Sequence, residues 1–297
     1  MSLLPLLHLG VGGPRWVDWS IHLDAIVLCI VIAFAYYYAV VELRPRVSDA
    51  GRVRRSQVVL FSLGLLSLFA AGGTPLHNIS EEYWLSAHMV QHLLFTIAAP
   101  PLLIAGTPSW LWAWLLKRPI VFPVMRVLTN PLIAFSIFNG LLILTHLPPA
   151  VDLALHNGLF HFAVHVVLVF SGVLMWWPIL SPMPSLPRLS PPLQLVYLFV
   201  QSILPAVVAS FITFADRAVY KFYADAPRLF DVSAVADQQI AGGLMKFIGS
   251  VVLWSFMTVV FFKWYQREEA DEKEPHWDDV EAELGELGLQ QTHETRA

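Results

Sequence analysis

The chain has one cysteine in 297 residues and only 13% charged residues. The lone thiol, Cys29, excludes an intrachain disulfide and any cysteine-based metal site within one chain. With so little charge, a 57% apolar composition and a mean hydropathy of +0.62 cannot be hidden in a soluble core. No phosphate-binding glycine loop and no HExxH motif occurs, so nucleotide-driven chemistry and zinc hydrolysis lack their usual machinery. There is no repeat of the solenoid kind and no basic, aromatic-interleaved surface, so no nucleic acid is expected as partner. The first residues lack a basic stretch followed by a small-residue cleavage site, and no cleavable signal peptide is expected.

What the chain does have is apolar blocks. Runs long enough to cross a ~30 Å hydrocarbon layer can be drawn at 24–41, 57–73, 83–105, 130–146, 157–178, 193–214 and 240–262. The expectation is an all-α, polytopic membrane helix bundle of about seven transmembrane helices. The second and fourth runs are the shortest and contain Gly64 and Gly140, which leaves six spans plus a re-entrant segment as the alternative.

Orientation follows from Lys and Arg, which stay cytoplasmic. Arg44, Arg46, Arg52, Arg54 and Arg55 follow the first run, Lys117, Arg118 and Arg126 the third, and Arg188 the fifth. The connections 74–82 and 147–156 hold no Lys or Arg. This places the N-terminus outside and the C-terminus in the cytoplasm. The expected organisation is an external segment 1–23, a transmembrane domain 24–264 and an acidic, mobile cytoplasmic tail 265–297. His276 and His293 in that tail are expected to face solvent. Trp16, Trp19, Trp110, Trp112, Trp114, Trp176 and Trp177 read as anchors at the two membrane surfaces.

On that topology nine of the 11 histidines fall on the outer side: His8, His22, His77, His88, His92, His146, His156, His161 and His165. Four form i, i+4 pairs, His88/His92 and His161/His165, so each pair shares one helix face. At about 1.5 Å per residue the pairs lie about 8 and 14 Å, and about 6 and 12 Å, below the outer surface. Two such helices packed together can aim four imidazoles at one point. Ionisable residues inside a membrane are unfavourable beside lipid and mark function.

The neighbours of these pairs suit a cation. His77 lies in the outer connection before the third run and His146 ends the fourth, Met89 and Met245 lie in outer halves of spans, and Asp152, Asp216 and Asp237 at or beyond outer ends. Imidazole with thioether favours copper, whereas imidazole with carboxylate suits zinc or Cu(II), and the residues do not choose between them. A single haem b held by His92 and His165 is a rival; two stacked haems are excluded because histidines four apart lie only ~6 Å apart along the axis. A metal transporter would need polar groups deeper in the third and fifth runs, which read LLFTIAAPPLLIAG and VVLVFSGVLMWWP.

The run AHMVQHLLFTIAAPPLLIAGTP from Ala87 to Pro108 resembles the signature of the CtaG-like cytochrome c oxidase assembly factors, the multi-span type associated with caa3 oxidases. THLP at Thr145 to Pro148, Asp152, HFAVHVVLVFSGVLMWWPIL from His161 to Leu180 and DQQIAGGLMKF from Asp237 to Phe247 are similar to that family as well. The resemblance covers most of the chain from His77 to Phe262. It implies a non-enzymatic role in maturing a haem-copper oxidase, with copper, as Cu(I), supplied to the buried copper centre of the catalytic subunit. The matching positions implied to carry metal are His88, His92, His161 and His165, with His77, His146, Met89, Asp237 and Met245 as secondary candidates. The implied partners are the oxidase catalytic subunit, a soluble copper donor and membrane lipid, and the implied location is the bacterial cytoplasmic membrane. Histidines of two chains of a homo-oligomer could share the site. One departure from the family pattern is Lys246, where similar proteins have Trp. A lysine beside a cation site opposes binding, so either it snorkels outward or Met245 is not a ligand.

Overall fold

Proline and asparagine set where the helices begin. In the computed structural model, which describes residues 8–9, 21–47, 50–228, 231–273 and 284–285, proline stands in the first turn of helix after helix, where its missing N–H leaves no bond unmade. Asn130 accepts from the backbone N–H of Leu132 at 3.1 Å, and Asn157 accepts from that of Phe160 at 3.1 Å. These side chains satisfy donors that a helix start leaves orphaned.

In chain order, α1 is Leu23–Tyr38, continued by a π turn at Ala39–Leu43, α2 is Arg55–Gly72, and α3 is the short Pro75–Glu82. The third span is α4, Leu85–Leu93, a π turn at Leu94–Ala98, and α5, Ala99–Gly106. After it come α6 (Ser109–Leu116), α7 (Val121–Leu128), α8 (Pro131–Thr145) and α9 (Pro148–His156). Then follow α10 (Gly158–Leu180), α11 (Pro191–Phe214), α12 (Lys221–Asp225) and α13 (Ala234–Lys273). Ahead of α1, His8–Leu9 pairs antiparallel with Ile21–His22.

Six of these helices are long and apolar enough to cross a membrane, and α7 with α8 makes a seventh if the pair, bent by 76°, is one span. The bundle is therefore all-helical and polytopic, and each expected run coincides with a helix. The fourth run is α8 alone, and the break lies just before it, where Asn130-Pro131 follows the end of α7 and starts α8 on a new axis. The last helix continues beyond residue 264 as far as Lys273. Trp16, Trp19, His276 and His293 lie outside the described residues.

The spans are not equal. The α4–α5 span is 61% buried inside the protein, against 11% for the α1 and α13 spans, so it is the axis around which the others pack. Lipid tails are as apolar as leucine, so close approach rather than water exclusion must hold these helices together. At Gly172 of α10 an added Cβ would sit 2.8 Å from the Pro100 ring and 3.0 Å from the Thr96 carbonyl oxygen. At Gly106 it would collide with the backbone nitrogen of Phe61. Glycine there lets α10 and α2 touch the backbone of the central span.

The π turn has a covalent cause and a partner. Pro100 and Pro101 lack the N–H groups that would bond back into the preceding turn. The Thr96 carbonyl is instead met by the indole N–H of Trp176, at 3.1 Å, which re-satisfies a freed backbone group inside the membrane. Trp176 and Trp177 are fully buried, with the Trp177 N–H donated to the Leu186 carbonyl at 3.3 Å. They are core residues rather than the interfacial anchors expected, because a tryptophan whose N–H finds a carbonyl partner can be buried whole. Trp110 is buried as well and Trp112 packs edge-on against Trp177. Of the expected anchors among the described residues, only Trp114, beneath the Arg118 guanidinium and 39% exposed, has the environment of one.

Candidate metal centre

The N-terminal halves of α4 and α10 meet at the end of the bundle that α3, α9 and α12 cover. Their four histidines form a box of rings. His88 and His92 lie 4.1 Å apart between centroids and His161 and His165 4.2 Å, while His88–His161 and His92–His165 are each 5.7 Å apart. His77 of α3 stands 6.1 Å from His161 and 6.0 Å from His165. His146, at the end of α8, stands 5.7 Å from His92. All six are buried or nearly so.

Glu81, which the sequence pattern alone did not single out, ties this box to α3. One of its carboxylate oxygens accepts from His77 Nε2 at 2.9 Å and from His161 Nδ1 at 3.0 Å. Burial opposes its ionisation, but the hydrogen bonds from His161 and His77 outweigh it and hold the carboxyl well below the usual carboxylate range. Its signal is legible in hindsight: His77 and Glu81 repeat the i, i+4 spacing of the histidine pairs on a short helix. Gln91, the polar residue inside HMVQH, completes the arrangement. Its Nε2 donates to the Ala71 carbonyl at 2.8 Å and to His77 Nδ1 at 2.7 Å, while its Oε1 stands 3.0 Å from the Ser80 hydroxyl. A carbonyl can only accept, so the amide orientation is fixed and His77 carries its proton on Nε2.

The same logic assigns two more tautomers. His161 donates Nδ1–H to Glu81, which leaves a lone pair on Nε2; His146 donates Nδ1–H to the Leu142 carbonyl at 2.7 Å and keeps its lone pair on Nε2 as well. Both Nε2 atoms are buried without a hydrogen-bond partner, as are His88 Nδ1, both nitrogens of His92, and His165 Nε2. A buried polar atom left unpaired is unfavourable and calls for an explanation. As placed, the rings lean on one another, and among the described residues no three His, Cys, Asp or Glu side chains converge in the geometry of a bound ion.

The remaining candidates separate cleanly. Asp237 is committed elsewhere: its carboxylate accepts from the backbone N–H groups of Leu85 at 2.8 Å and Ser86 at 3.1 Å and from the Ser86 hydroxyl. It thus caps the N-terminus of α4 from the first turn of α13 and fixes where His88 and His92 point. Met89 and Met245 are buried and line, with His92 and His146, a cavity of about 50 Å3. Lys246 turns away from them, its Nζ 3.3 Å from the Ser210 hydroxyl and beside the Phe214 ring, which is the snorkelling alternative. His156 is exposed against Phe222 and stays out of the box, whereas His22 packs edge-on against His77 at 4.3 Å.

Two tyrosines that carry no signal in the sequence close this end. Tyr223 of α12 donates to the Ser80 carbonyl at 2.6 Å and Tyr220 to that of His146 at 2.9 Å. Burial, reinforced for Tyr223 by the nearby Glu81 and Asp237 charges, pushes both hydroxyls above their ordinary range, so they remain donors.

Fold and site together define a class: a polytopic membrane protein that carries a buried polyhistidine centre near one end of its helical bundle. The model of the family described as cytochrome c oxidase caa3 assembly factor (Caa3_CtaG) matches residues 34–267. The chain belongs to that family, and its role lies in cytochrome c oxidase assembly. No curated protein and no solved structure matches it.

Proposed function

We propose that this assembly factor takes up copper at the histidine end of its bundle and holds it for transfer to the buried copper centre of the oxidase catalytic subunit. The observation that carries the reading is the set of buried imidazoles whose nitrogens lack protein partners, two of them with the opposite nitrogen already anchored. An imidazole anchored through one nitrogen to a carboxylate or carbonyl is the arrangement that orients metal-ligating histidines. Side-chain rotations within the box would bring lone pairs onto one ion. With the basic connections cytoplasmic, this end faces the external compartment, where a soluble donor could reach it.

The same geometry disfavours the rivals. A haem between His92 and His165 lacks room, since the rings are 5.7 Å apart and the adjoining cavity of about 50 Å3 is smaller than a porphyrin. A transporter lacks a path, because Ile104, Leu174, Trp176 and Trp177 are fully buried in the other half of the central helices.

Metal analysis of detergent-purified protein beside a His88→Ala/His92→Ala variant, with a visible spectrum of both, tests the proposal. We expect near-stoichiometric copper that disappears in the variant and no Soret band. No copper after anaerobic Cu(I) loading, or a haem spectrum that survives washing, would sink it.

A further inference from the structure

We infer that the protein holds a second, softer metal subsite in the cavity between α4, α8, α11 and α13, and that it takes a monovalent d10 cation, Cu(I) or Ag(I). The inference rests on reading the histidine box as a copper centre and adds a division of labour within it.

The cavity of about 50 Å3 is lined by His92, His146, Met89 and Met245, which is room for an ion with one or two small ligands. His92 and His146 are each 8% exposed, and between them three ring nitrogens have no partner. His146 is already oriented as a ligand would need to be, because its Nδ1–H is held by Leu142 and only the lone pair of Nε2 remains to be used. Polar nitrogens that border a cavity rather than packed hydrocarbon have space for the ligand that would satisfy them.

The donors differ in kind from those at the other face of the box. Around His161 an anionic carboxylate, Glu81, is hydrogen-bonded to two imidazoles, a harder environment of nitrogen and oxygen with no sulfur. No carboxylate lines the cavity, and its one charged residue, Lys246, turns outward to Ser210. Neutral imidazole and thioether neutralise no charge and are soft, so they favour a singly charged soft ion over Zn(II) or Cu(II). His92 lies 4.1 Å from His88 and 5.7 Å from His165, so one imidazole borders both subsites and an ion can pass between them by ligand exchange.

The test is anaerobic titration of the detergent-purified full-length protein with Cu(I) and, separately, Ag(I), with bound metal counted after desalting and the copper shell read by X-ray absorption. Wild type should retain two equivalents, with sulfur in the shell of one. Met89→Leu/Met245→Leu should lose one equivalent and the sulfur scattering, while His161→Ala should keep the sulfur and lose the other equivalent. A nitrogen-only shell in wild type, or a double methionine variant indistinguishable from it, overturns the second subsite. Should that variant fail to fold, the wild-type shell still decides. One nitrogen-only equivalent that vanishes in His88→Ala/His92→Ala leaves the copper proposal standing and removes this one; no copper at all removes both.

Discussion

The two ends of the same pair of helices treat buried polar groups in opposite ways. Around the second half of α10, Trp176 and Trp177, Ser181 just beyond the helix and Tyr197 of α11 each find a backbone carbonyl, at Thr96, Leu186, Leu186 and Met175 respectively. Where α4 meets the first half of α10, nitrogens of His88, His92, His161 and His165 are buried without partners. One half spends these side chains on backbone carbonyls; the other leaves imidazole nitrogens over. In a membrane, where burial alone does not hold helices together, the first half can carry the fold so that the second can keep unpaired nitrogens for a ligand.

The contrast can be broken from the locked end first. Gly172→Val forces a branched side chain into the Thr96 carbonyl and the Pro100 ring and should cost about 3 kcal/mol. Folded yield and thermal midpoint in detergent should fall sharply, and a variant as stable as wild type would show that the contact is not tight. At the other end, Glu81→Gln removes the negative charge from the acceptor shared by His77 and His161 and leaves a weaker, neutral amide oxygen. Its effect should be on metal, a loss of about 10- to 100-fold in copper affinity with the midpoint little changed. A stability defect without an affinity defect would make Glu81 a structural residue.

Smaller effects sharpen the comparison. Trp176→Phe keeps the ring but leaves the Thr96 carbonyl unpaired, which should cost about 1 kcal/mol and leave copper stoichiometry unchanged. Acidification should weaken copper binding, because protons compete with the metal for imidazole lone pairs; equilibrium dialysis from neutral to acidic pH reads the sign. Lys246→Leu should do least: the ammonium points to Ser210, so copper content should match wild type.

The spans are legible in the sequence because bilayer thickness fixes the length of an apolar run, and the histidine box because i, i+4 spacing puts two rings on one face. Asp237 reads as a ligand because its position at the outer end of a span is visible in the sequence, whereas the orphaned N–H groups of Leu85 and Ser86 that claim it lie 151 or more residues away. Gln91 stands in plain view inside HMVQH, but its meaning depends on the Ala71 carbonyl of another helix. Tyr220 and Tyr223 belong to a connection whose fold over the histidines is a tertiary fact. Trp176 and Trp177 read as surface residues because composition shows an amphipathic ring and not the carbonyl that lets it go under. Lys246 is a departure from the family pattern, and its direction toward Ser210 is visible only in the fold.

The π turn at Leu94–Ala98 makes the angular bearing of one half of the central span independent of the other. Each residue of an α-helix advances the side-chain direction by about 100°, so a locally wider turn offsets everything beyond it. His88 and His92 keep one heading, toward α10, while Thr96, Pro100 and Gly106 keep another, set by Gly172 and Phe61. A single-residue deletion within 94–98 would leave every histidine and every contact glycine in the sequence and still dismantle the site, because the span would have to choose which of its two neighbours to face correctly.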